Sequence, residues 1–236
     1  MPTKPVPKIT SWSFSRWSTW AQCPAKAKYK FIDRLKEPGS SAMDRGTNIG
    51  EMADNYIKGD LKTLPKELKL FKVEFAALRK AKALVQMDAA FTNKWDPCEP
   101  TDWDNAWVRM KLDTLVPPQR KETVIHVIDN KTGRVKEDDY TPQLELYGIG
   151  GFLKFPQATV ARTNLWFLDH GVIIGADATP PYKPTGIYPR ADLPKLITKW
   201  EQRVKPMLNA TAFPPRPGDY CRYCHFRKSN NGPCKF

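Results

Sequence analysis

No stretch of this 236-residue chain approaches the roughly 18 consecutive apolar residues that cross a bilayer. The opening residues, MPTKPVPKITSW, lack the apolar segment of a secretory signal. A soluble, cytoplasmic protein without membrane contact is therefore expected. Histidine is scarce, at 3 residues, and neither a Ser/His/Asp arrangement nor a phosphate-cradling glycine loop can be read from the chain. His126 lies at odd spacing from Asp129 and so on the opposite strand face, and His170 falls in a turn, which makes both poor catalytic bases. Acid is the minority charge: 25 Asp and Glu stand against 38 Lys and Arg, a formal net charge of +13. An excess of that size favours a polyanionic partner, nucleic acid first, through counterion release. The plain alternative is a basic soluble protein with no such partner. Five cysteines, an odd number, in a reducing compartment suit metal or cluster ligation better than disulfides.

What is present is a chain of one-domain size, 41% hydrophobic and 27% charged, without internal repeats or a long linker. SWSFSRWSTWAQCPAKAKYKFIDRL (11–35) carries serine caps and aromatics at helical intervals, and Pro24 divides it into two short helices. Further helices are expected over about 42–58 and 65–84. β-rich runs follow at 85–95, 106–116 and 122–132, the last two as antiparallel neighbours. Thr141 and Pro142 signal a helix start, although glycines at 148, 150 and 151 weigh against its second half. A hairpin over 163–177 turns at Asp169-His170-Gly171, and a helix over 190–210 has Pro194 in its first turn. The tail, FPPRPGDYCRYCHFRKSNNGPCKF, has too little apolar periodicity to be held by a core alone.

The chemistry gathers at two strand ends. Asp113 lies in MKLDTL and Asp129 in VIDNK, and antiparallel pairing can bring both carboxylates together. Clustered carboxylates repel unless a cation joins them, and an oxygen-rich pair suits Mg²⁺ or Mn²⁺. Lys131, two residues after Asp129, points to the same face of its strand. A metal held there would activate water and polarise a phosphoryl oxygen, with Lys131 stabilising developing charge and the Asn130 backbone carbonyl as a further ligand. Asp129, Asn130 and Gly133 equally suit a plain strand-ending turn. Gln143 and Tyr147, four apart, share one helix face.

Asp113, then DNK at 129–131, then QLELY at 143–147, resembles the PD-(D/E)XK nucleases, specifically the RecB-like branch. There an acid on one strand is followed by D-x-K on the next and by a helix with Q-x-x-x-Y. The resemblance extends upstream to SFSRWSTWAQCPAKAKYKFIDRL and GTNIGEMADNYIKG. It implies a restriction-endonuclease-like core: a mixed central β-sheet flanked by helices, in the α/β class. It also implies that Gln143 and Tyr147 face the active site and support substrate, metal or lysine. The chain departs from the family at Gly50, where a metal-binding His is usual, and Asp54, one turn on, is the nearest replacement.

Cys221, Cys224 and Cys234 form a C-x2-C-x9-C set, and their spacing lets at least two thiolates share a metal. The same resemblance supplies Cys23 as a fourth ligand, closing a [4Fe-4S] cluster that joins 11–35 to 211–236 as a small lobe of one 1–236 domain. Zn²⁺ accepts the same four thiolates, and His225 is a weaker alternative ligand. Cys98 is left over. The expected function is a Mg²⁺- or Mn²⁺-dependent DNA nuclease, an exonuclease of phage recombination, replication or DNA degradation. The alternative is an impaired nuclease fold that binds nucleic acid or a protein partner.

Overall fold

The computed structural model describes residues 8–119, 122–136, 139–180 and 185–236. The Pro- and Lys-rich start at 1–7 and the last two residues, 120–121, of the PPQRK connection therefore lie outside the described residues. Among the described residues, six α-helices and seven strands follow in chain order. Helix α1 (Phe14–Gln22) begins where Ser13 Oγ accepts the Arg16 amide, and α2 (Pro24–Phe31) restarts with Pro24 in its first turn, as the proline predicts. Helix α3 (Ser41–Lys58) opens on a Ser40 cap and stops at Gly59, whose φ of 96° lets the chain turn back. The single helix expected over 65–84 is instead a 3₁₀ segment, Lys66–Phe71, leading into a shorter α4 (Lys72–Lys80). Leu68 and Phe71 are both buried there, three residues apart, which is the 3₁₀ repeat.

Strand β1 (Leu84–Phe91) ends earlier than the apolar pattern suggests and pairs with a two-residue β2 (Pro97–Cys98). Strands β3 (Val108–Val116) and β4 (Val124–Lys131) are antiparallel neighbours, as expected. Helix α5 (Thr141–Lys154) crosses over from β4 to the parallel strand β5 (Val160–Phe167). Strand β5 then pairs with β6 (Val172–Gly175) along its second half and with β7 (Ile187–Pro189) along its first. The order is β2-β1-β3-β4-β5-β6, with β7 beside β5, a seven-stranded mixed sheet. Helix α6 (Leu193–Leu208) follows, with Pro194 in its first turn.

Helices cover both faces of the sheet. On one, Trp12 stacks on Trp200 of α6 at 5.1 Å between centroids, in a core that includes Leu112, Val127, Leu146 and Ile149. On the other, Phe71 and Phe75 pack on Trp166 together with Ile49 and Ile57 of α3. The three glycines of α5 do not break it. A Cβ at Gly150 would meet Met110 Sδ at 2.8 Å and one at Gly151 would meet Ile125 Cδ1 at 2.5 Å, so these positions let the helix lie close against β3 and β4. Close packing outweighs the propensity cost of roughly 1 kcal/mol per glycine. Thr141 is the first helical residue rather than the cap, and its amide is taken by Asp139 Oδ1.

Candidate active site

Strands β3 and β4 part at one end. Their ladder runs Val116–His126, Leu115–Val127, Thr114–Ile128. Asp113 and Asp129 stand opposite each other one step beyond the last rung, so the fork carries a carboxylate on each arm. The Asn130 amide donates to Asp113 Oδ2 at 3.2 Å across the gap. Lys131 Nζ lies 2.6 Å from Asp129 Oδ2 as an ion pair, although not aligned as a hydrogen bond. The parity expected of positions 129 and 131 is thus observed.

Helix α5 closes one side. The Tyr147 hydroxyl donates to Asp129 Oδ1, and Gln143 Nε2 donates to the Tyr147 oxygen at 2.6 Å and to Asp129 Oδ1 at 3.4 Å. Asp129, Gln143 and Tyr147 are all buried. Burial, and then the Asp129 charge, push the Tyr147 pKa well up, so the phenol remains a proton donor at neutral pH. Burial and then Asp129 also raise the Asp113 pKa to about 7. One carboxyl of the pair therefore holds its proton easily when no cation balances the charge.

Helix α3 forms the opposite wall of a cleft of about 650 Å³, lined by Gly50, Asp54, Gln86, Lys111, Asp113 and Lys131 among others. Asp54 is buried, its Oδ1 has no partner among the described residues, and burial raises its pKa. A Cβ at Gly50 would meet nothing within 4 Å among the described residues, so the position usually filled by His is open there on this wall. The donor set fits a hard divalent cation: all oxygens, two raised carboxyls, and buried oxygens of Asp54 and Asp129 with no hydrogen-bond partner among the described residues. Among the described residues, however, no three His, Cys, Asp or Glu side chains are already gathered as a metal site.

Two residues at this site were absent from the sequence reading. Lys111 lies two positions before Asp113 and shares its strand face, a parity signal of the kind that marked Lys131. Gln86 had no such signal. It lies between the pairs Val85–Thr114 and Met87–Leu112, opposite Asp113, with φ of 51°, a left-handed conformation that is uncommon for glutamine. Local strain of this type collects at functional sites.

The cysteines lie elsewhere. Cys23, Cys221, Cys224 and Cys234 line one pocket of about 30 Å³, all half-buried and free, and Cys98 is not among them. Backbone amides of Arg216 and Gly218 approach Cys23 Sγ and Cys221 Sγ, each at 3.4 Å. Tyr220 donates to the Gln22 carbonyl at 2.7 Å. These thiols surround one space but do not form a ready-made metal site. The tail also has an apolar anchor that its sequence did not advertise: Phe226 is buried, 5.6 Å from the Tyr29 ring.

Among solved structures, the chain resembles a candidate exonuclease from Eubacterium rectale, with 15% identity, a TM-score of 0.50, and 91% of this chain and 88% of that one covered. A second, SSO0001, has 14% identity and a TM-score of 0.40 over 93% of this chain and 84% of that one. At such identities the first likeness speaks to the fold alone, and the second is too loose to carry an argument. No curated protein matches. The profile of the PD-(D/E)XK nuclease superfamily matches residues 11–229, from the first helix to the cysteine-bearing tail. The chain therefore belongs to the PD-(D/E)XK nuclease superfamily.

Proposed function

We propose that the protein is a divalent-metal-dependent deoxyribonuclease, acting as an exonuclease in phage recombination, replication or DNA degradation. The observation that carries the reading is the convergence of Asp113, Asp129, Lys131, Gln143 and Tyr147 at one strand fork, in a chain of net charge +13. Asp113, Asp129 and the Asn130 backbone carbonyl would hold Mg²⁺ or Mn²⁺, with Asp54 approaching from α3. A cation bound there would ionise a water and polarise the scissile phosphoryl oxygen.

The protein's own groups have separate tasks. Tyr147 and Gln143 hold Asp129 Oδ1, which fixes the carboxylate, while Oδ2 is buried beside the Lys131 ammonium. Lys131, already at Oδ2, turns its ammonium toward charge that builds on the attacked phosphate. Lys111 adds a second cation to the same wall. Digestion of end-labelled linear and circular DNA with Mg²⁺ or Mn²⁺ tests activity and end requirement together. Asp129→Ala and Lys131→Ala are each expected to lower the rate by a hundredfold or more, on the order of 3 kcal/mol of lost transition-state stabilisation. Undiminished cleavage by highly purified variants would remove these residues from the mechanism.

A second reading, a nuclease fold that only binds nucleic acid, is favoured by Gly50 alone. Salt-dependent binding without products under every metal condition would select it. For the cysteines we propose a mainly structural [4Fe-4S] cluster, supported by the four-thiol donor set around one pocket and by the joining of 11–35 to 211–236, with Zn²⁺ as the alternative.

A further inference from the structure

The cleft continues past the fork to residues with no part in the chemistry. Alternate positions of β3 place Arg109, Lys111 and Asp113 on one face. Lys111 and Lys131 line the wall beside α3 and also a connected cleft of about 560 Å³ that reaches Ser13, Ser15 and Arg109. At about 3.4 Å per residue, Arg109 stands about 14 Å along the strand from Asp113, the rise of about four stacked nucleotides.

Arg109 is built into its place. Nε donates to the Pro100 carbonyl at 3.0 Å, Nη1 to Ser11 Oγ at 3.3 Å and Nη2 to the Asp102 carbonyl at 3.4 Å. Arg16 Nη1 donates to the same Ser11 Oγ at 2.9 Å. Two guanidiniums thus share one neutral hydroxyl, and among the described residues neither has a carboxylate within 4.0 Å. The Asp102 carboxylate is taken by its own loop, through the Asp104 and Asn105 amides and the Asn105 side chain. Two unneutralised cations held together are an anion site in waiting.

Trp103 lies over Arg109. Its ring is 4.2 Å from the Arg109 guanidinium carbon, yet the residue is 74% exposed, in the loop between β2 and β3. Trp12, Trp95, Trp166 and Trp200, by contrast, are in the cores. A tryptophan braced by a cation on one face and open on the other is a platform for a base.

We propose that Arg109 and Trp103, backed by Arg16, form a phosphate-and-base subsite for single-stranded DNA about four nucleotides from the scissile bond. The subsite rests on the nuclease reading of the cleft and adds that the strand reaches the fork unpaired, because a base within a duplex has no free face for Trp103. Anisotropy of fluorescein-labelled (dT)12, (dT)3 and a blunt duplex in EDTA tests it. Trp103→Ala is expected to weaken (dT)12 binding on the order of 5- to 150-fold, with Trp103→Phe restoring most of the loss. Its effect on (dT)3 and on the duplex is expected to be within twofold. Arg109→Gln is expected to reduce the slope of log affinity against log salt by about 0.7, while Trp103→Ala leaves it unchanged. Equal affinity of Trp103→Ala and wild type for (dT)12, or an equal loss on the duplex, overturns the subsite. If wild type still cleaves DNA with Mn²⁺ in that case, the subsite alone falls; if wild type neither binds nor cleaves, the nuclease reading falls with it.

Discussion

Asp54 and Gly50, one helical turn apart, define what this site has and what it lacks. Among the described residues, Asp54 brings a buried carboxyl oxygen with no partner to the cleft wall, and Gly50 leaves the next position empty. Among the described residues nothing lies within 4 Å of a Cβ there, so Gly50→His is expected to place an imidazole on the wall without repacking. An added nitrogen ligand is expected to tighten Mn²⁺ binding about tenfold, near 1.4 kcal/mol. Isothermal titration with the metal measures it, and an unchanged dissociation constant would mean that position 50 does not face the bound ion. Asp113, Asp129 and Lys131 were legible in the sequence because strand alternation alone puts 129 and 131 on one face. Gln86 was not, since its left-handed backbone is imposed by the sheet opposite Asp113 and no residue pattern encodes it.

At the scale of elements, α5 shows local propensity yielding to contact. Its glycines read as a weak helix half, yet they are what permits the crossover helix to lie on β3 and β4. Gly151→Ala improves helix propensity but puts a methyl 2.5 Å from Ile125 Cδ1 and 3.2 Å from Val127 Cγ2, both fully buried. A destabilisation of about 1–3 kcal/mol is expected, read as a lower midpoint in thermal or urea unfolding. A second tie joins α3 to the β5–β6 turn. Arg45 binds Asp169 at 2.6 and 2.9 Å, and Asp169 also accepts the Gly133 amide at 2.7 Å. These bonds, Arg45 first, lower the Asp169 pKa to about 2. A depressed carboxyl pKa stabilises the fold above the unfolded value near 4, and that contribution is lost as pH falls through about 2. The pair is partly exposed, so its worth is on the order of 0.5–1 kcal/mol. Asp169→Asn is expected to lower stability at pH 7 by that amount and to flatten the acid limb between pH 4 and 2, as equilibrium denaturation at stepped pH would measure.

For the whole molecule, the main question is what joins its ends. Phe226 against Tyr29, Tyr220 on the Gln22 carbonyl and the shared cysteine pocket hold the tail to the first two helices. Anaerobic purification is expected to yield a brown protein with about four irons and four sulfides per chain. Cys23→Ser is expected to lose that colour and lower the unfolding midpoint. A colourless protein carrying one zinc would reassign the site. The +13 charge acts at this scale too, since it is summed over the whole chain and favours a polyanionic partner.

The sequence by itself determined which of the acid, D-x-K and Q-x-x-x-Y residues share a face, because side-chain period in strands and helices is a local property that survives without tertiary context. It likewise set the helix starts within 11–35, where a serine cap and Pro24 act within one turn. The tertiary structure alone decided how far β3 and β4 stay paired before forking, and that β5 divides its edge between β6 and β7. It also placed Arg16 and Arg109, distant in sequence, around the Ser11 hydroxyl. Such features depend on long-range pairing and on which polar groups are left without partners, and neither is encoded in any short window of residues.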